Sequence, residues 1–599
     1  MRRWLVGLLA AVAVPVVSGA AAWRLQGEER VEMGVRHERV FPGGPGAPSN
    51  IRPSDYVGPE ECAGCHDDNY RSWRRHPHSR MNQLASAASV VGDFDDRTIG
   101  FDGATIAFEH APTAEGDGEA YTMTVERPGA RRRVYRVTRT IGTRVKQFYA
   151  GLLVEGAPMG MNRADDEVVL PFGFLIAQRR WLPVTYFDDY GDDVHEDGRL
   201  TFDPTAPGDA VLKSACAFCH NTTAYAYLLG VTRRQHRGFL ASDLTVDPQG
   251  LREELAKWMP SVDLAAGIQG AFDLDRQLVT VGISCESCHF GGRAHAMEKA
   301  TYRFGPSSPV LDVHPADPGR SAERRRDNPW LVEAICRQCH SSDGTYYADG
   351  TATENSREAL ELDHGACASR IACTDCHDPH VAGPVEGGGP DRPEQVAACT
   401  RCHAQYAGER AAAAHSRHSS KQASCLDCHM PRITQGLTGS VRSHRISVPG
   451  DPRMLAAAAP NACNGCHAGR SVAWTIAELA RGWGRRVQPD PAWAKAWGGS
   501  LETPAMDAWL KSPDQHVRVF AVDLLGRRDD DASMVRLATL LDDAAGTTRL
   551  FASLAIGRRL GRSLEAAEID VTAPHEDRAR QIEALIPTLR AAAARRAPD

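Results

Sequence analysis

The feature that most constrains this chain is a five-residue word, Cys-x-x-Cys-His, which occurs eight times in 599 residues. The words are Cys62, Cys65 and His66; Cys216, Cys219 and His220; Cys285, Cys288 and His289; Cys336, Cys339 and His340; Cys373, Cys376 and His377; Cys399, Cys402 and His403; Cys425, Cys428 and His429; and Cys463, Cys466 and His467. They use every cysteine but Cys367. The chain's own Cys and His frequencies would supply roughly 0.02 such words by chance. A zinc ribbon needs four ligands per metal and does not require a histidine directly after its second cysteine. A thioredoxin-like dithiol needs a single Cys-x-x-Cys in a βαβ setting. Covalent haem explains each position: two thiols one helical turn apart add to the two vinyl groups on one porphyrin edge, and the adjacent imidazole lies under the iron. Eight c-type haems are expected, with the eight word histidines as iron ligands.

Haem attachment to this word takes place outside the cytoplasm, and the chain begins accordingly. MRRWLVGLLAAVAVPVVSGAAAW has a basic start, an apolar run from Trp4 to Val17 and a small-residue tail to Ala22, the pattern of a secretory signal. The alternative is that residues 4–23 persist as a membrane anchor. No cysteine follows the run, which argues against a lipid anchor. The formal charge of −7 becomes more negative with haem, since ferric haem with two ionised propionates adds about −1 each. Nucleic acid is therefore excluded as a partner class.

Residues 24–55 are polar and Gly/Pro-rich (FPGGPGAPSN) and read as a linker. Residues 56–275 read as a first haem region. It is interrupted at about 97–190 by a small antiparallel β insertion, where TIAFEH, YTMTVER and RRVYRVTRT alternate or are β-rich between turns. In 276–470 six words crowd together, leaving little room for an apolar core, so short helices and loops around porphyrins are expected. In 471–599 segments such as QHVRVFAVDLLGRR and TRLFASLAIGRRLG carry apolar residues at helical spacing. These predict an all-α, HEAT-like C-terminal domain without cysteine, serving structure or the docking of a partner.

Each iron has a sixth position, so histidines outside the words matter. Fifteen exist. His37, His516 and His575 lie in the linker and tail and read as solvated or capping residues, and His110, His195 and His236 stand apart from the words. Nine cluster among the words: His76, His78, His295, His314, His364, His380, His415, His418 and His444. That supply is enough for every haem to be bis-histidine, which favours an electron carrier. One open iron would instead make an oxidoreductase of a small nitrogen or sulfur compound. Cys367 and Lys421 are the residues that keep this alternative open. A ligand a few residues from its own word seldom folds back over that porphyrin, so His415 and His418 are expected to serve haems other than those of the nearest words.

YVGPEECAGCHDDNYRSWRRHPHSRMN is similar to the opening of the cytochrome c-554 family, in which a haem word precedes a W-x-x-S-x-H context. Trp73 matches, His76 stands in place of the Ser, and His78 matches the ligand. GISCESCHFGGRAHA, SCLDCHMPRI, VRSHRISVPG and PNACNGCH resemble large multihaem cytochromes that join such a region to a helical-repeat tail. The resemblance covers about residues 56–470. It implies that His295, His444 and one of His415 and His418 are distal ligands, and that His380 crosses to a neighbouring haem. The expectation is an exported multihaem cytochrome c fold, mostly α and irregular around its haems. It would carry electrons between redox protein partners or to an extracellular acceptor.

Overall fold

A computed structural model describes residues 48–594 apart from 114–117, 158–165, 188–201, 206–215, 232–237, 259–276, 369, 383–392 and 529. The signal or anchor at residues 1–23, and most of the linker, lie outside the described residues. The end of the linker does not behave as one. Ile51 is fully buried, Asn50 donates to the Gly305 carbonyl at 2.9 Å, and the Asn50 carbonyl accepts from Gly291 at 2.8 Å.

The β region is larger than the sequence suggested. Its sheet has nine antiparallel strands among the described residues: β1 (Asn82–Leu84), β2 (Arg97–Phe101), β3 (Ala104–Pro112), β4 (Glu119–Glu126), β5 (Arg133–Ile141), β6 (Lys146–Glu155), β7 (Val168–Val169), β8 (Phe172–Leu175) and β9 (Arg180–Pro183). They run in the order β2-β3-β4-β5-β6-β8-β9, with β1 on β5 and β7 on β6. Side chains alternate across the sheet, so Ile106 and Phe108 of β3 meet Val125 and Met123 of β4 on a buried face. Phe108 stacks on Trp181 at 3.8 Å. β1, outside the expected range, joins because Asn82 pairs with Ile141.

From Cys285 to His467 the chain forms short elements. The longest helix is Pro329–Arg337, nine residues, and most others span one or two turns. Beyond it come the longer helices Val472–Trp483, Gln515–Gly526, Asp531–Leu540, Gly546–Leu560 and His575–Ala594. Side-chain caps begin three of them: Ser471 Oγ accepts from Trp474 N–H, Asp514 from His516 N–H and Asp530 from Ser533 N–H. Gly484 and Gly561 end two of them in the left-handed conformation, at φ 67° and 70°. Among the described residues no helix is long and apolar enough to cross a membrane.

The C-terminal helices are built into the molecule. Their core is continuous with Val145, Leu175 and Tyr186 of the β region, and with Tyr347, Ile433 and Leu455 of the word-dense stretch. Trp497 Nε1 donates to the Leu455 carbonyl at 2.7 Å and Trp509 Nε1 to the Ala458 carbonyl at 2.9 Å. Arg549, buried, donates to the Val571 carbonyl at 2.8 Å and to the Tyr186 hydroxyl. His516, read as solvated or capping, is 6% exposed. Its Nε2 lies 3.1 Å from Glu354 and its Nδ1 3.1 Å from Asp514, so it ties the tail to the word-dense stretch.

Candidate haem sites

Each word folds as one helical turn, because the first cysteine's carbonyl accepts the histidine's N–H four residues on. The bond is 2.9 Å at His66, His340 and His467, 3.0 Å at His377 and His403 and 3.1 Å at His220. The words Cys285–His289 and Cys425–His429 are themselves short helices. Residues three apart share a face of such a turn, which places both thiols of a word on one side. Polar residues within the words stabilise the turns. In CTDCH and CLDCH the aspartate reaches back, Asp375 accepting from Ala372 N–H at 2.7 Å and Asp427 from Ser424 N–H at 2.8 Å. In CNGCH, Asn461 Oδ1 accepts from Asn464 N–H at 2.9 Å.

The thiols of different words come close together. Cys62 and Cys285 lie within hydrogen-bonding reach, as do Cys219 and Cys339 and Cys336 and Cys373. Cys288 is within electrostatic reach of Cys336 and Cys339. Cys399 stands in the same relation to Cys376 and Cys425, and Cys428 to Cys463 and Cys466. In order of appearance, the words therefore run first–third–fourth–fifth–sixth–seventh–eighth, with the second branching from the fourth. Glu286, inside the third word and 2% exposed, joins it to the first by accepting from Gly58 N–H at 2.8 Å and Val57 N–H at 3.1 Å. Burial pushes its carboxyl pKa up, against the pull of those N–H groups. Trp73 Nε1 adds a bond to the Ile283 carbonyl at 2.8 Å.

Among the described residues seven pairs of histidine rings meet. Six join a word's histidine to one outside the words: His66 with His295 at 6.4 Å between centroids, His340 with His78 at 6.4 Å, His289 with His380 at 6.1 Å, His377 with His444 at 6.1 Å, His429 with His415 at 6.2 Å and His467 with His418 at 6.1 Å. A metal–nitrogen bond of about 2 Å plus about 1 Å from nitrogen to ring centre, on each side, separates two imidazoles sharing one iron by about 6 Å. Both ring planes contain the bond axis, so the angle between them is free, and it runs from 6° to 62° here. The seventh pair, His76 and His78 at 4.4 Å, is too close for that arrangement.

Several Nδ1 atoms are already engaged, which leaves Nε2 for a metal. His289 Nδ1 meets the Tyr302 hydroxyl at 3.0 Å, His295 the Ala300 carbonyl at 3.0 Å, His418 the Ser416 carbonyl at 2.8 Å and His429 the Ser447 carbonyl at 2.7 Å. His340 Nδ1 lies 2.9 Å from Glu358. His76 Nδ1 instead accepts the His78 N–H at 3.1 Å, which puts its proton on Nε2 when neutral. Burial, with neighbouring imidazoles, lowers His78 to about 3 and His289 to about 4, so both rings are neutral and able to ligate. Burial also disfavours charge on His340, yet the Glu358 carboxylate outweighs it and raises the ring to about 9. These donors fit covalently attached, six-coordinate haem, for which His340 would give up its Nε2 proton and keep the Nδ1 proton toward Glu358.

His415 departs from expectation: it lies opposite His429 of the adjacent word, whereas His418 crosses to the eighth. The helix Glu409–Ser416 ends at Arg417 in the left-handed conformation, φ 63°, and this reversal sends the two histidines to different words. His314 and His364 are not among the six pairs. His314 donates its N–H to the Asp243 carbonyl, and His364 caps the helix Glu358–Asp363. His195 and His236 lie outside the described residues. Cys367 is half-buried near Cys399 and Cys402, and Lys421 is exposed. Glu286 and Glu358 are functional neighbours that sequence reasoning missed, since their partners are distant in the chain or unmarked by any motif.

Residues 409–478 match the family model of cytochrome c552. This segment holds His415, His418, His444 and the seventh and eighth words. No curated protein matches the chain in sequence. The crystal structure of the outer cell wall cytochrome OcwA aligns with 90% of this chain and 99% of its own at 15% identity, with a TM-score of 0.35. A similarity that weak does not establish a common fold. Over that segment the chain is similar to a c-type cytochrome, a class of electron-transfer protein with covalently bound haem.

Proposed function

We propose that the chain is an exported octahaem cytochrome that moves electrons along a branched series of closely spaced haems, most of them bis-histidine. When bound, haem supplies a reversible one-electron couple. The observation that carries the reading is the set of six histidine pairs 6.1 to 6.4 Å apart, each with one member in a haem word. In it His78, His295, His380, His415, His418 and His444 are the distal ligands. His314 and His364, which face no word histidine in these pairs, are the further candidates for the two haems outside them, those of His220 and His403. The contacts between words supply continuity, with word one, word eight and the branch at word two as the three ends. The partners are redox proteins or an extracellular acceptor, and the location is periplasmic or at the cell surface, as haem attachment requires.

Electron paramagnetic resonance (EPR) of the ferric holoprotein, with carbon monoxide added to the reduced form, tests the reading. Low-spin signals throughout and no carbon monoxide uptake are expected. A high-spin iron that binds carbon monoxide would turn the assignment to an oxidoreductase of a small nitrogen or sulfur compound. Replacing His78 or His444 with Ala should convert one haem to high-spin at unchanged haem content. Unaltered low-spin spectra in both variants would remove those two ligand assignments.

A further inference from the structure

Among the described residues, the facing histidines with an engaged Nδ1 include four on neutral oxygens and two on carboxylates. His380 Nδ1 lies 3.3 Å from Asp378, whose side chain is 59% exposed, so solvent screens that charge. His340 Nδ1 lies 2.9 Å from Glu358 Oε2, and the Glu358 side chain is 26% exposed. Glu358 is also fixed in place. Its Oε1 accepts from Ser356 N–H at 2.9 Å, and the next residue, Ala359, donates its N–H to the His340 carbonyl at 3.2 Å. The helix Glu358–Asp363 thus holds His340 by both ring and backbone. His340 belongs to the fourth word, where three arms meet: Cys339 beside Cys219, Cys336 beside Cys373, and Cys288 near both.

We infer that Glu358 is the positioning residue of His340 and makes the haem at this junction the hardest of the series to reduce. The inference rests on the relay reading above. A carboxylate that accepts from Nδ1–H draws the proton toward itself and makes Nε2 a stronger donor. A stronger axial donor favours ferric over ferrous iron. Electrons then pass through the junction without resting on it, and the three arms hold charge separately.

The test uses the holoprotein with Glu358→Gln, Glu358→Asp and Asp378→Asn, followed by a potentiometric titration in the visible spectrum and EPR of the ferric form. Glu358→Gln should shift the lowest-potential step upward toward the others and widen the g-spread of one low-spin signal, with haem content unchanged. Glu358→Asp should restore part of the shift, and Asp378→Asn should move its own step less. The inference is overturned if Glu358→Gln keeps the lowest step in place, or if Asp378→Asn shifts a step as far. Should Glu358→Gln lose haem, Glu358→Asp decides: a raised lowest step supports the assignment and an unmoved one overturns it. Failure of the relay reading shows separately, as high-spin iron or carbon monoxide uptake in the unsubstituted protein.

Discussion

Between Cys285 and His467 the longest helix has nine residues, and the chain's largest apolar cluster takes in only a few side chains, such as Tyr347, Ile433 and Leu455. Between Val472 and Ala594 helices reach fifteen and twenty residues, and the same cluster fills with Trp497, Trp509, Phe520, Leu537, Phe551 and Leu589. The difference is one of interior material. The tail buries its own side chains, in the manner of an ordinary globular core. The word-dense stretch puts Phe290, Leu311, Trp330 and Leu331 into a separate apolar cluster shared with Tyr225 and Leu251, while its cysteines stay half-buried or exposed, a surface that bound porphyrin would cover under the proposed function.

The sharpest way to break this comparison is to make the full chain without haem. Limited proteolysis should then cut throughout 285–450 and leave a resistant fragment beginning near Pro452, where the helix Pro452–Ala456 joins the tail core through Met454 and Leu455. Equal survival of both regions would show that the word-dense stretch holds itself together by side chains after all. The next largest effect belongs to the tail. Trp509 is fully buried, and Trp509→Ala should cost about 3–5 kcal/mol in denaturant unfolding. The haem spectrum should hold until the tail unfolds, since the indole's bond goes to Ala458, outside any word.

How legible each region was follows from the same contrast. In the tail the helical spacing of QHVRVFAVDLLGRR and TRLFASLAIGRRLG is a local signal, and the helices Gln515–Gly526 and Gly546–Leu560 appear where it falls. What periodicity does not contain is the far side of an interface, so His516 read as solvated or capping although its Nε2 lies 3.1 Å from Glu354. In the word-dense stretch the motif fixed the chemistry of each turn but not which histidine faces which word. His78 lies opposite His340 and His380 opposite His289 because Trp73, Glu286 and Ser72 fasten distant segments together; Ser72 Oγ, for instance, donates to the His380 carbonyl at 2.7 Å. Such fastening is long-range and leaves no spacing rule. The nine-stranded sheet was visible in its β-rich segments, VVLPFGFLIAQRRWLPVTYFDD among them, whereas β1, three residues long and ahead of the expected insertion, is too short to show a period.

The smallest effect sharpens the comparison most finely, because one device occurs in both regions. Ser471 Oγ caps the helix Val472–Trp483 by accepting from Trp474 N–H at 3.2 Å, and Ser424 Oγ caps the word Cys425–His429 by accepting from Leu426 N–H at 3.2 Å. Losing such a cap costs about 1 kcal/mol when hydrogen bonds alone hold the turn. Ser471→Ala should show that cost in denaturant unfolding of the holoprotein, since hydrogen bonds alone hold the first turn, among them Ala473 N–H to the Leu501 carbonyl at 3.1 Å. Ser424→Ala should show a smaller one, because two thioether bonds and an iron ligand constrain the same turn in folded and unfolded chains alike, and a constraint present in both states removes the entropy the cap would otherwise offset. In protein made without haem that protection is gone, and Ser424→Ala should cost as much as Ser471→Ala or prevent the turn from forming. Equal costs for the two serines in the holoprotein would mean that the haem words are held as the tail helices are, by their own hydrogen bonds.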